Sequence, residues 1–249
     1  MVKADNWQER LVQLKKDGNE DIISIEDEIL LQDVFGRKID KAIKGKKEYR
    51  TILKKRFNSG LSIAKQVFYK YVPTGYIETI EHTGSGAYSK KTKKMRLNYF
   101  SDLNDYKRGP GTQFFHEHGH LIDDRAGDLS SSEEFSNALK EDYENYRDKL
   151  KGKKNLTDRE IDNLILDEIN DSSKHSISDI IDGITHGQIT GSASHTRVNP
   201  MYWEDKGNLE REAFAHMYEA CFDEQKIKYM HTYFPKSFRE FKNILKGAI

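Results

Sequence analysis

The stretch Phe114–Asp123, FFHEHGHLID, contains a His-Glu-x-x-His pattern whose residue types and spacing suit a metal-dependent hydrolytic centre. On an α-helix, residues four apart lie about 40° from each other around the axis, so His116 and His120 project from one face, one turn apart. Two imidazoles at that spacing can bind one zinc ion. Glu117 takes no coordination position, so its carboxylate can accept a proton from a metal-activated water molecule. The pattern therefore predicts Zn²⁺ held by His116 and His120, with Glu117 as general base.

A tetrahedral site needs a third protein ligand, and the helical segment 209–220 offers candidates. Glu212, His216 and Glu219 share one face of that helix, beside a stripe of small and apolar residues. A carboxylate among apolar neighbours is costly to bury alone, and a metal ion would remove that cost. We predict Glu212 as the ligand and His216 as a group that supports a ligand or contacts the transition state. Glu210 and Glu219 are the alternatives to Glu212.

Other polar side chains could complete the site. The negative charge that develops during acyl transfer needs a donor, and we predict His195 or Tyr202, from a glycine-bracketed segment, in that role. Asp123 and Asp124 follow the second histidine ligand by one turn, where a carboxylate could orient the ring of a ligand. His118 points away from the ligand pair, and we expect it to be solvated or to pack.

The amino-acid composition limits the classes of function and the location that are open to this chain. The chain has 249 residues, 36% of them hydrophobic and 33% charged, with a formal net charge of +0, so no overall charge favours nucleic acid or a membrane surface. A single cysteine, Cys221, excludes an internal disulfide framework and favours a reducing compartment. The first residues lack the apolar core of a signal peptide, and no run is long and apolar enough to span a bilayer. We expect a soluble protein.

The apolar periodicity predicts an α+β fold that is mostly helical, with a small antiparallel sheet beside the metal-binding helix. Residues 1–60 are predicted to form a helical N-terminal lead-in, beginning with a short amphipathic helix over residues 5–16, and residues 61–249 the catalytic domain. Strands are expected at 76–80 and 95–100, with an extended segment at 88–89 between them. An exposed sheet edge there could pair with an extended peptide, or the hairpin could serve only to cover one side of the metal-binding helix. Thr112 is the expected N-cap of the metal-binding helix.

With these residues in view, the chain resembles the gluzincin-type zinc metallopeptidases, which pair His-Glu-x-x-His with a glutamate from a later helix. It is similar, more narrowly, to the metallopeptidase-like domain of minor head proteins of phages and prophages of Gram-positive bacteria. The resemblance covers roughly residues 70–245 and implies a zincin-like fold, with His116, His120 and Glu212 as zinc ligands and Glu117 as base. The matching pieces are 85–88, 95–98, 114–123, 178–181, 194–195 with 202–203, and 212–217.

Two functions follow as expectations. The first is a zinc-dependent metallopeptidase, a metalloendopeptidase acting on a peptide or protein substrate, with no nucleic-acid or membrane partner. The second is a non-catalytic phage-head or interaction protein that retains the zinc site, with phage head or portal proteins as partners. An intact Glu117 favours the first, because a purely structural zinc site needs no base. The resemblance implies a location in the bacterial cytoplasm or the phage virion.

Overall fold

The computed structural model describes residues 25–40, 42–154, 156–193 and 195–249, and this part of the chain is mostly helical with a small three-stranded sheet. The fold is therefore α+β, as predicted. The amphipathic helix expected at residues 5–16 lies outside the described residues. Within them, no helix combines the length and apolar character needed to cross a membrane. In chain order the elements are α1 Ile25–Asp40, α2 Lys47–Ser59, α3 Ser62–Tyr71, β1 Ile77–Thr79, β2 Ala87–Ser89, β3 Lys94–Arg96, α4 Tyr99–Leu103, α5 Thr112–Arg125, α6 Glu133–Lys154, α7 Asp158–Ile169, α8 His175–Ile184, α9 Asn208–Ala220, α10 Glu224–Tyr233 and α11 Pro235–Ala248.

The sheet is mixed, so the prediction of an antiparallel sheet was wrong. The strand order is β1-β3-β2, with β2 antiparallel and β1 parallel to β3. The short turn after Ser89, with Lys93 at φ 55°, folds β2 directly back onto β3. That hairpin occupies one edge of β3 and leaves the other edge to β1, which runs in the same direction as β3. β2 is consequently an edge strand, and it packs beside α5.

The second predicted strand is also shorter than expected. Tyr99 and Phe100 belong to the helix α4 because the side chain of Asn98 accepts a hydrogen bond from the backbone of Ser101 and caps that helix. An asparagine at this position offers the first free N–H groups of a helix an acceptor, which outweighs the strand preference of the two aromatic residues.

The described part of residues 25–60 shares one apolar core with the rest of the chain. Phe35 of α1 stacks on Phe57 of α2, with ring centroids 4.0 Å apart, and Phe57 stacks in turn on Phe222. Phe115 of α5 lies 4.2 Å from the same Phe222 ring. These contacts pack the N-terminal helices against the helix that carries the His-Glu-x-x-His pattern.

The helices α5 and α9 pack closely against each other in the core. Gly119 makes this approach feasible, because a Cβ atom built on it would lie only 2.5 Å from Cα of Ala215. A glycine facing an alanine lets two backbones come together where larger side chains would hold them apart. The contact sets the distance between the two helices from which the predicted zinc ligands project.

Candidate metal centre

The helix α5 begins at a buried cap that sequence reasoning did not find. Asp102, which is 1% exposed, accepts hydrogen bonds from the backbone N–H groups of Gln113 and Phe114 at 2.8 and 3.1 Å. The predicted cap, Thr112, is instead the first helical residue, after Gly111 at φ 83°. A carboxylate at a helix N-terminus satisfies free N–H groups and complements the helix dipole. Asp102 thereby fixes the start of the helix that carries the two histidines.

The structure brings three of the predicted ligands together. Nε2 of His116 lies 3.2 Å from Nε2 of His120, and Oε2 of Glu212 lies 3.3 Å from the first of these nitrogens and 3.4 Å from the second. The three atoms form a nearly equilateral triangle between α5 and α9. Glu210, one of the two alternatives to Glu212, instead accepts a hydrogen bond from Ser136.

The size of this triangle fits zinc. For metal–ligand distances of 2.0–2.1 Å, two ligand atoms of a tetrahedron lie about 3.3–3.4 Å apart, which matches the three distances above. Among the described residues, Oε2 of Glu212 has no hydrogen-bond donor although the atom is buried. A buried carboxylate oxygen without a donor is costly, and a cation at the centre of the triangle would remove that cost. The donor set, two imidazoles and one carboxylate, therefore fits a zinc ion.

The electrostatics of Glu212 also suit a ligand. Burial alone would raise the pKa of its carboxyl group, but His120 and then His116 outweigh that effect and hold the pKa well below its usual value. The side chains of His116 and His120 are 15% and 18% exposed, so both retain some contact with solvent. Access from solvent is what distinguishes a catalytic zinc site from a closed structural one.

Glu219, the other alternative ligand, lies behind His116. Its Oε2 is 3.2 Å from Nδ1 of His116, the ring nitrogen on the far side from the triangle. Its Oε1 accepts hydrogen bonds from Ser176 and from the buried ammonium group of Lys226. Nδ1 makes no hydrogen bond with any described residue, but the negative charge beside it favours a proton on Nδ1, the tautomer that leaves Nε2 free for a metal.

The prediction that Asp123 or Asp124 would orient a ligand ring was wrong. Asp123 accepts hydrogen bonds from the backbone and hydroxyl of Ser130 and so secures the chain that leaves α5. Asp124 binds Lys93 and the hydroxyl of Tyr88 instead. Both carboxylates accept hydrogen bonds or ion pairs from residues outside α5. Residue spacing along the helix does not predict such partners.

Glu117 lies at the junction between α5 and the edge strand β2. The side chain is 6% exposed, and its Oε2 accepts a hydrogen bond from the backbone N–H of Tyr88 at 2.7 Å. Alternate residues of an antiparallel strand point their backbone groups toward and away from the partner strand. Tyr88 points its N–H away from β3 and toward α5, and this bond fixes the position of the Glu117 carboxylate.

On the other side of the triangle, His195 and Tyr202 form a stacked pair. Their ring centroids are 4.2 Å apart at an interplanar angle of 12°. Nδ1 of His195 is bonded to Oδ1 of Asp179 at 2.8 Å, and its Nε2 lies 3.9 Å from Oε1 of Glu212, which also accepts a hydrogen bond from the Tyr202 hydroxyl. Burial, followed by the Glu212 carboxylate, raises the pKa of Tyr202, so its hydroxyl keeps its proton and can donate.

Two further histidines, His118 and His216, are buried. His118 is 0% exposed; its ring lies between Phe68, Phe114 and Tyr76, and its nitrogens contact the carbonyl of Phe114 and the hydroxyl of Tyr76. It is a packing residue, one of the two outcomes expected for it. His216 is 3% exposed, and its Nε2 is bonded to Oδ2 of Asp179 at 3.0 Å. Its ring cannot reach a substrate, so only a supporting role is open to it.

Asp179 is the functional residue that the residue-by-residue reasoning missed. It is 1% exposed and holds both His195 and His216. Burial would raise its pKa, but the hydrogen bonds from the two histidines outweigh burial and lower it. The signal was present in the sequence, since an aspartate within the apolar run Ile177–Ile181 must be buried and needs partners.

Comparisons of this chain with models of protein families, with curated proteins and with solved structures found no match. The chemistry of the site therefore has to be inferred from its own residues. These provide a triangle of donors of the right size for zinc, an unligated carboxylate on the same helix, and two donors opposite, at His195 and Tyr202.

Proposed function

We propose that this protein is a zinc-dependent metallopeptidase with a zincin-like, gluzincin-type site. The observation that carries the proposal is the triangle formed by Nε2 of His116, Nε2 of His120 and Oε2 of Glu212, with sides of 3.2, 3.3 and 3.4 Å. Its dimensions match three corners of a zinc tetrahedron, and the partial exposure of His116 and His120 supports an open fourth position. Glu117, adjacent in sequence but bonded to Tyr88, is available as a base.

When bound, a zinc ion would polarise the peptide carbonyl and lower the pKa of a water molecule toward about 7. Glu117 accepts a proton as the water oxygen bonds to the carbonyl carbon, and it delivers that proton to the leaving nitrogen as the C–N bond breaks. His195 donates to the oxygen on which negative charge develops, and the Tyr202 hydroxyl does so by exchanging its bond to Glu212 for one to that oxygen. Asp179 orients His195 through its hydrogen bond to Nδ1.

The edge strand β2 supports a peptide as the substrate class. An extended peptide can add to a sheet edge through backbone hydrogen bonds, and β2 lies beside α5. Because the outward N–H of Tyr88 already donates to Glu117, a peptide would bond the remaining backbone groups of that edge. The sequence resemblance implies phage head or portal proteins as partners, and we propose these proteins as substrates. The alternative, a non-catalytic interaction protein that retains zinc, gives no role to Glu117, which directly follows the ligand His116 and is bonded to the backbone of Tyr88.

The decisive experiment combines metal analysis with one isosteric substitution. We expect the purified protein to bind about one zinc per chain, and Glu117→Gln to bind zinc as tightly as the wild type while losing at least 100-fold in peptide hydrolysis, because general bases contribute about 10²–10⁴-fold. A peptide library read by mass spectrometry provides substrates. Protein that binds no zinc would refute the site. Full activity in Glu117→Gln would refute the mechanism, and zinc binding with no hydrolysis of any peptide would favour the alternative.

A further inference from the structure

His216 occupies a position that the proposed reaction does not explain. It lies on α9 one turn after Glu212, and its ring is 4.4 Å from the ring of the ligand His116. Its two nitrogens face two different buried carboxylates: Nε2 is 3.0 Å from Oδ2 of Asp179, and Nδ1 is 3.5 Å from Oε2 of Glu219. Nε2 bonds Asp179, whereas Nδ1 forms no hydrogen bond with any described residue and only lies near the carboxylate of Glu219.

Each of the two carboxylates supports a different part of the site. The Oε2 atom of Glu219 that faces His216 is the same atom that lies 3.2 Å from Nδ1 of His116. Asp179 uses its other oxygen, Oδ1, to hold His195. His216 therefore stands between the carboxylate that orients a metal ligand and the carboxylate that orients the proposed transition-state donor.

Hydrogen bonds hold both carboxylates in place. Glu219 is 2% exposed, and its Oε1 is bonded to Ser176 and Lys226. Asp179 is 1% exposed, and both of its oxygens are bonded to histidines. In such a closely packed polar cluster, a shift of one member is passed to the next because no solvent can fill the space or replace a lost partner.

We infer that His216 is a positioning residue that couples the orientation of the ligand His116 to that of His195. A change at Asp179 then reaches the metal through His216, although Asp179 is not a zinc ligand. The inference rests on the proposed zinc site, and it adds a specific consequence: the two halves of the site, ligands and donors, do not vary independently.

A double-mutant cycle with zinc affinity as its readout tests the coupling. Zinc affinity is measured by competition with a chromophoric chelator for the wild type, Asp179→Asn, His216→Phe and the double variant. Phenylalanine keeps an aromatic ring beside His116 but cannot bond Asp179. Replacement of supporting residues of metal sites typically costs 10–100-fold in affinity, so we expect Asp179→Asn to weaken zinc binding on the order of tenfold in the wild-type background.

In the His216→Phe background, the same Asp179→Asn change should cost no more than about twofold. The loss of a negative charge near the metal acts in both backgrounds and cancels in the cycle, so the difference isolates the contact through His216. An equal cost of Asp179→Asn in both backgrounds would overturn the inference. Thermal unfolding of the zinc-free variants verifies that each one is folded.

A second variant and a spectroscopic readout keep the test decisive if His216→Phe does not fold. In His216→Gln the amide nitrogen can take the place of Nε2 and donate to Asp179, so zinc affinity should stay within about threefold of wild type. The visible spectrum of the cobalt-substituted protein, which reports ligand geometry, should be unchanged in this variant. A tenfold loss of affinity or a shifted spectrum in His216→Gln would overturn the inference. Because these measurements need no peptidase activity, a protein that binds zinc without coupling refutes only this inference, whereas a protein that binds no zinc refutes the proposed function.

Discussion

The substitution Gly119→Ala tests whether the close approach of α5 and α9 builds the metal centre. A Cβ atom at this position would lie 2.5 Å from Cα and 3.1 Å from Cβ of Ala215. Ordinary contact begins at 3.4 Å, so the two backbones must separate by 3.4 − 2.5, about 0.9 Å. The atoms met are backbone or the short side chain of alanine, and neither can rotate out of the way.

The same movement pulls Glu212 away from His116 and His120. Zinc sites tolerate departures of about 0.2 Å from ideal ligand distances, so a separation of about 0.9 Å is roughly four times too large. Overpacking of a core costs about 1–3 kcal/mol, and this contact with backbone belongs at the upper end. Alanine regains about 1 kcal/mol of helix propensity over glycine, which leaves a net loss of about 2 kcal/mol.

We therefore expect Gly119→Ala to lower the melting temperature of the zinc-free protein by about 4–8 °C, at 2–4 °C per kcal/mol for a chain of this size. Zinc affinity should fall at least tenfold, measured by chelator competition. The matched control is Gly152→Ala in α6, where a Cβ atom meets nothing within 4 Å. This control should raise stability by up to about 1 kcal/mol and leave zinc affinity unchanged. Wild-type zinc affinity in folded Gly119→Ala would refute the reasoning.

Three further outcomes are expected. Asp102→Ala removes the acceptor of the Gln113 and Phe114 N–H groups and should lower the free energy of unfolding by about 2 kcal/mol, measured by urea denaturation; a loss below about 0.5 kcal/mol would contradict its capping role. Tyr202→Phe should lower kcat of the proposed peptidase at least tenfold with little change in KM, because its hydroxyl acts on the transition state; a raised KM at constant kcat would assign it to substrate binding instead. Zinc at 1,000 times its Kd stabilises the native state by about 4 kcal/mol, so its removal by a chelator should lower the melting temperature on the order of 10 °C. An unchanged melting temperature would contradict zinc binding to the native state.

Helical periodicity made much of the candidate site readable from the sequence. The i, i+4 spacing of His116 and His120 requires only that their segment be helical, and the apolar residues around them favour that. The same rule placed Glu212, His216 and Glu219 on one face of the later helix. These are local relationships, which the geometry of a single helix fixes without reference to the rest of the chain.

Long-range contacts account for the errors. The sheet was predicted antiparallel because strand propensity does not say which edge of β3 each neighbour takes. Thr112 was predicted as the helix cap because it is adjacent in sequence, whereas Asp102 reaches the same N–H groups from α4. In both cases the deciding partner comes from a different element, and propensity carries no information about such a partner.

The sequence by itself determined which side chains could hold a metal: two histidines on one helix, and a choice among three acidic residues on another. Only the tertiary structure decided among them, because Gly119 lets α9 approach α5 at one distance and one rotation. In that setting Glu212 faces the histidine nitrogens and Glu219 lies behind His116. The position of one helix relative to another depends on how their surfaces pack, and those surfaces are far apart in the sequence. The spacing of residues along a helix does not show which surface it will pack against.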